Sequence, residues 1–272
     1  MDGYALFRQH LKTLILFALI TTPFVVLPFF VMGIVRTRII HISHEQSGIA
    51  LLAQSRYLTP SPKKGSVSLN QIRRGINVGY DISVKRALRE MGLRTSRFDR
   101  WIEQHPGTAL SHIRYMPVAS QQIVASTAVF IRKSNSKIDA KTAWREAAAL
   151  VHYSAKYAVP YALTTAVAKV ESTFDPDAMS SKGASGVMQV MWELHQRLLQ
   201  ANGITPTPGA NPLADPEKAI AAGCLLLSRY IRAYGSVNSA MERYYGTSSE
   251  IYQRKVNRNV VNVMNHHTQF FK

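Results

Sequence analysis

The residues whose types and spacing could do chemistry lie between Val167 and Val190, VAKVESTFDPDAMSSKGASGVMQV. Glu171 closes an apolar run, the turn Asp175-Pro176-Asp177 follows, and a glycine-punctuated loop leads to Met188 and Gln189. A carboxyl among Val167, Ala168 and Val170 in the last turn of a helix meets both a low dielectric and the negative end of the helix dipole. Both disfavour the charged form and raise its pKa. A glutamic acid still protonated near neutral pH is a usable general acid. Gly183 and Gly186 let the backbone turn sharply or come close to a ligand, and the Gln189 amide can both donate and accept. Such a loop suits a polar, acetamide-bearing chain.

The elements that must position this carboxyl read as helices. Tyr161 to Glu171 starts after Pro160 and cannot run far, because the residue before Pro176 is pushed out of helical geometry. Upstream, Asp139 can cap a helix through Trp144, Ala147, Ala148, Val151, His152 and Ala155, spaced by threes and fours. His152 reads as a packing residue, since no paired carboxylate or metal-ligand spacing accompanies it. Downstream, Asp215-Pro216-Glu217 opens a helix through Ile220, Cys224, Leu227 and Ile231 that stops at Gly235. The last block is Met241-Glu242-Arg243-Tyr244-Tyr245-Gly246, with Tyr252, Lys255 and Val256 following.

Two of these blocks stand in a specific order: Glu171-Ser172-x-Phe174-Asp175-Pro176 with Ala178 and Ser180, then Gly183-Ala184-Ser185-Gly186-Val187-Met188-Gln189-Val190. Together they resemble the lytic transglycosylases of the soluble-lytic-transglycosylase type, whose fold is similar to goose-type lysozyme. The resemblance implies a mainly α, lysozyme-like catalytic domain with at most a small β element. It implies a groove lined by Ser180, Gly183, Gly186, Met188, Gln189, Tyr244 and Tyr245, with Tyr244 reaching Glu171 and helping to place it. The chain departs from the family pattern at three places. Trp192 and Leu194 stand where a proline and a threonine are usual, Ala219 precedes Ile220 where an asparagine is usual, and Tyr245 replaces a common asparagine. Trp192 reads equally as a sugar-stacking ring or a buried core residue.

Counting carboxylates bears on mechanism. A glycosidase of the ordinary kind needs two, and only Glu171 has a suitable setting. Asp175 and Asp177 read as local caps of the proline turn. With one carboxylate, the substrate must supply the second nucleophile. The resemblance implies that Glu171 protonates the oxygen bridging N-acetylmuramic acid and N-acetylglucosamine in peptidoglycan strands. It then takes the proton of the muramic C6 hydroxyl as a 1,6-anhydro ring closes. Neither a metal nor a cofactor is required. Two other readings stay open: a hydrolytic muramidase on the same fold, and a wall-binding scaffold of an envelope-spanning secretion or conjugation machine.

The remainder of the chain suggests where this would happen. The net charge of +17 is uneven, +12 over residues 1–140 and +5 over 141–272, which attracts anionic surfaces without choosing among them. The single cysteine, Cys224, permits no disulfide within the chain and reads as a buried small hydrophobe. Thr13 to Val35 carries no charge over 23 residues, about 34 Å as a helix, enough to cross a bilayer. An uncleaved anchor is preferred to a signal peptide, whose apolar region is normally shorter and followed by a small-x-small cleavage site. Arg8 and Lys12 before the span balance Arg36 and Arg38 after it, so charge does not set the orientation. A wall substrate implies a single-pass bacterial inner-membrane protein whose catalytic domain faces the periplasm.

The expected organisation is an anchor at 1–38, a juxtamembrane linker at 39–66 ending in TPSPKKGS, a basic helical region at 67–137 and the catalytic domain at 138–272. Within 67–137, a helix over Asp81 to Met91 and another that starts at Thr95 or Ser96 and ends before His105-Pro106-Gly107 flank Gly92, and Arg132 to Lys137 reads as linker. A helix-turn-helix would use Arg86, Arg89, Arg94, Arg97 and Arg100 on phosphates. The loose turn spacing and the anchor argue against nucleic acid, and favour a hairpin with Val84, Leu88, Phe98 and Trp101 packed inward.

Overall fold

The computed structural model describes residues 79–272. The expected membrane span, the linker and the start of the basic region lie outside the described residues. Among the described residues, no helix is long and apolar enough to cross a membrane.

The described residues begin with a short helical pair, α1 (Ile82–Glu90) and α2 (Thr95–Gln104), followed by a 3-10 helix over Ala109–Tyr115. Asp81 caps α1 by accepting from the Ser83 amide at 2.9 Å, which satisfies one of the amides a helix start leaves free. Val84, Leu88 and Phe98 are buried as the hairpin reading expects, and Trp101 packs against their edge. Next comes α3 (Val118–Ser134), buried without interruption from Ile123 to Ile131. A helix apolar on every side belongs inside a bundle.

Two helices then place the candidate acid. In α4 (Ala140–Lys156), Asp139 caps the start by accepting from the amides of Lys141 and Thr142. In α5 (Tyr161–Ser172), every residue from Tyr161 to Ala168 is buried. The helix ends before the proline geometry requires it, because Thr173 and Phe174 both adopt left-handed backbone, with φ of 53° and 65°. Phe174 is thereby turned into the core, where its ring meets Phe130 edge-on.

The expected small β element is one antiparallel pairing of β1 (Ala184–Ser185) with β2 (Val190–Met191), in register Ala184 to Met191 and Ser185 to Val190. Four helices complete the chain: α6 (Trp192–Ala201), α7 (Pro216–Tyr234), α8 (Val237–Tyr245) and α9 (Glu250–Phe270). Trp192 is buried at the start of α6, so its ring belongs to the core, the second of the two roles left open. Asp215 caps α7 with Pro216 at its first position, and Gly235 ends it, as the sequence predicts.

The stretch Arg132 to Lys137 corrects the linker expectation. Arg132 and Lys133 form the last turn of α3, and the Arg132 guanidinium donates to the carbonyls of Ser136 and Ile138. A side chain of the last turn that donates to carbonyls of the segment beyond the helix folds that segment back on the helix end as a joint. The helices before this joint share one hydrophobic core with those after it. Phe98 of α2 lies 4.8 Å from Trp144 of α4 between ring centres. Arg86 of α1 donates to the Phe270 carbonyl at 2.8 Å, and Ser126 of α3 pairs through its hydroxyl with His267 and through its carbonyl with His266.

One core position breaks the apolar pattern. Glu146 on α4 is fully buried, and neither of its carboxyl oxygens meets a protein donor. Burial raises its pKa well above the carboxylate range, opposed by Arg145 and aided by Asp139 and Asp175.

Candidate active site

Glu171 occupies the penultimate position of α5, half-buried, where the sequence places it. Its carboxyl accepts a 2.6 Å hydrogen bond from the Tyr252 hydroxyl of α9. Burial raises its pKa, and the Tyr252 hydrogen bond, by favouring the charged form, opposes that rise. No carboxylate is among the groups that shift it. Asp175 instead accepts from the amide of Asp177 at 3.0 Å, the local cap its position beside Pro176 predicts.

The partner of Glu171 is therefore not the expected tyrosine. Tyr244 donates to the Met188 carbonyl at 2.7 Å, although its ionisation still senses the nearby Glu171 charge. Tyr244 thus fastens the loop before β2 to α8, and Tyr252, one turn into α9, meets the acid. A signal for Tyr252 was present in the sequence. It opens the series Tyr252, Val256, Val260, Val263, all of which are buried, and a phenol in an otherwise apolar stripe needs a hydrogen-bond partner inside. Tyr245 is half open to solvent at 49% exposure and stacks on Tyr252, with ring centres 4.4 Å apart and planes within 20°.

The loop from Ser172 to Met191 is held by its own polar groups. The Ser172 hydroxyl donates to the Val187 carbonyl at 2.8 Å and accepts from the Asp175 amide at 3.1 Å, which ties the end of α5 to the strand turn. That double role accounts for a serine directly after the acid. Gln189 has left-handed backbone, φ 47°, and its amide nitrogen donates to the carbonyls of Ala178 and Gly186 at 2.9 and 3.0 Å. Ser180 is exposed, and its hydroxyl accepts from the Ala184 amide at 3.0 Å.

The two loop glycines divide their roles. Gly183, φ +82°, is exposed with open space where a side chain would go. Gly186, φ +72°, is buried, and a Cβ there would collide with the Leu213 carbonyl and the Ala219 methyl. Met188 is buried as well, and its side chain fills the space that Gly223 of α7 leaves. Of the expected groove residues, Ser180, Gly183 and Tyr245 reach the surface, Gln189 and Tyr244 are half-buried, and Gly186 and Met188 stand behind them as packing. Among the described residues no group of histidine, cysteine, aspartate and glutamate side chains could hold a metal ion.

A mainly helical domain with one small β pairing thus places the raised carboxyl of Glu171 at a helix end, bonded to a buried phenol. The family described as Transglycosylase SLT domain matches residues 149–260, so the resemblance read from the two sequence blocks holds over that span. The chain is similar to the proteins named "Membrane-bound lytic murein transglycosylase C" of Yersinia pestis (strain Pestoides F) and Yersinia pseudotuberculosis serotype O:1b (strain IP 31758). With each it shares 34% identity over 94 residues, 34% of this chain and 26% of the relative. The chain therefore spans about a quarter of the length of these relatives. No solved structure matches it.

Proposed function

We propose that this protein is a membrane-anchored lytic transglycosylase that cleaves the β-1,4 bond between N-acetylmuramic acid and N-acetylglucosamine in peptidoglycan without consuming water. The observation that carries this reading is the half-buried Glu171, raised by burial, bonded to Tyr252 at 2.6 Å and shifted by no second carboxylate. The family match over residues 149–260 and the relatives' printed name, which specifies murein, support the substrate class.

In this reading the protonated Glu171 gives its proton to the bridging oxygen as the bond to the muramic C1 breaks. The carboxylate left behind is stabilised by the Tyr252 hydroxyl. It then takes the proton of the C6 hydroxyl as that oxygen bonds to C1, which closes the anhydro ring and restores the acid. A second carboxylate is needed only where water or an enzyme nucleophile attacks. Gln189 and Ser180 shape the loop, Tyr244 anchors it, and Tyr245 offers an exposed ring to the glycan.

The uncharged run 13–35 and the relatives' printed description as membrane-bound support a location at a membrane. We place the helical domain on the periplasmic side of a bacterial inner membrane. A larger envelope machine as partner is prompted by the anchor and the basic helices, and co-purification from solubilised membranes tests it.

The deciding experiment is digestion of purified wall sacculi by the full chain and by Glu171→Gln, with mass spectrometry of the released fragments. The wild type is expected to release muropeptides one water lighter than hydrolysis gives, and Glu171→Gln to lose at least about a hundredfold of that activity. Hydrated products would favour a muramidase. Sacculus binding without release would leave a scaffold.

A further inference from the structure

The acid and its phenol partner do not stand alone, because Tyr245 covers the outer side of that pair. Its ring lies nearly parallel on the Tyr252 ring, 4.4 Å away, while its other surface is open to solvent. The two tyrosines come from different helices. Tyr245 is the last residue of α8 and Tyr252 lies in the first turn of α9, with Gly246, φ +93°, reversing the chain between them. The short turn brings the rings together, and the rest of α9 fixes Tyr252 through Val256 and Val260 below it. Tyr252 is thus clamped between a core on one side and a single removable ring on the other.

We infer that Tyr245 is a positioning residue, which acts through Tyr252 to hold the hydroxyl on Glu171 and to keep water from that hydrogen bond. Offset stacking of two phenols is a directional contact, and a hydrogen bond shielded from water is stronger than an exposed one. Substrate stacking on the open side would press the same ring more tightly onto Tyr252. Binding and acid alignment would then share one side chain. The inference rests on the proposed reaction for its consequence in rate, although the coupling between Tyr245 and Glu171 can be measured without turnover.

The titratable groups facing Glu171 are Tyr252 of α9 and Tyr244 of α8, both of which sense its charge. On α5 itself Lys169 is turned away over the Phe130 ring, 4.6 Å from its centre. Residues 184–191 carry no titratable side chain. A change in Glu171 ionisation on altering Tyr245 would therefore be transmitted through the tyrosine pair.

Two variants of the full chain test this, Tyr245→Ala and Tyr245→Phe, with soluble un-cross-linked glycan strands as substrate. Tyr245→Ala is expected to lower kcat about tenfold, part of what acid and base catalysis contributes, beside a smaller rise in KM from loss of the exposed ring. Tyr245→Phe, which keeps the stack and loses only the hydroxyl, is expected to restore kcat. Isotope-labelled glutamate NMR, assigned with Glu171→Gln, is expected to show Glu171 titrating at higher pH in Tyr245→Ala than in the other two proteins, because a loosened Tyr252 hydroxyl favours the charged form less. A rise in KM with unchanged kcat and an unchanged titration would make Tyr245 a sugar contact only and overturn the inference. So would a Tyr245→Phe protein as impaired as Tyr245→Ala. A wild type that released no fragments would overturn the proposed reaction, while the titration would still decide whether Tyr245 controls Glu171.

Discussion

Glu171 and Tyr252 meet at 2.6 Å across 81 residues of sequence, so the acid is set by the docking of α9 onto α5. The contact and the burial act in opposite directions. Burial favours the protonated form of Glu171, while the phenol favours the carboxylate. The proposed reaction has the acid give a proton and then take one back, which needs both forms within reach.

Replacing Tyr252 by phenylalanine therefore has a signed outcome. The hydrogen bond lowers the pKa of Glu171, so its loss leaves burial unopposed and raises that pKa further. The alkaline limb of the pH–rate profile is expected to move to higher pH. The plateau rate should fall roughly tenfold, since the carboxylate form loses its support. A profile of wall digestion against pH for both proteins reads the two effects separately. An alkaline limb displaced to lower pH would contradict the assignment.

Gly223 is predicted to be intolerant of alanine. A Cβ there would sit 2.6 Å from the Met188 methyl and 2.7 Å from its Cβ, and the Met188 carbonyl is the acceptor of Tyr244. Overpacking of this kind costs about 1–3 kcal/mol. Denaturant melts should show that loss for Gly223→Ala. Gly183→Ala meets no neighbour and pays only for its positive φ.

Glu146 gives a prediction about pH and stability. Its pKa is raised in the folded chain, so the unfolded chain loses that proton first as pH climbs. The stability linked to Glu146 is complete below its unfolded value and declines as pH rises toward its folded one. Glu146→Met should remove this decline and stabilise the chain at neutral pH by about 1–3 kcal/mol, the cost of a buried polar group without a partner. Thermal melts across acid to neutral pH check the slope. A variant with the same slope as the wild type would mean that Glu146 is not its source.

The helices, their caps and the acid were legible because each depends on neighbours in sequence. Asp139, Asp215 and Pro216 mark helix starts by local chemistry, and Glu171 followed from an apolar run halted before Pro176. The phenol that meets Glu171 was not legible in the same way, since Tyr244, Tyr245 and Tyr252 can each donate a hydrogen bond. Only the packing of α9 against α5 distinguishes them. Gly186 and Met188 were read from their motif as groove residues, but the motif does not say which side of the backbone faces solvent. The joint at Arg132 was missed because a basic cluster after a helix looks like linker until its carbonyl acceptors, several residues on, are placed beside it.

The shared core of the basic helices and the acid-bearing ones means that the inherited unit and the folding unit are not the same size. The family match starts at residue 149, inside α4, and stops at 260, inside α9. A fragment cut at those limits would lose Trp144, against which Phe98 rests, and the end of α9 that Ser126 and Arg86 grip. The helices between residues 82 and 148 are thus part of the scaffolding that holds the acid, and transplanting Glu171 to another protein would require carrying that scaffolding along.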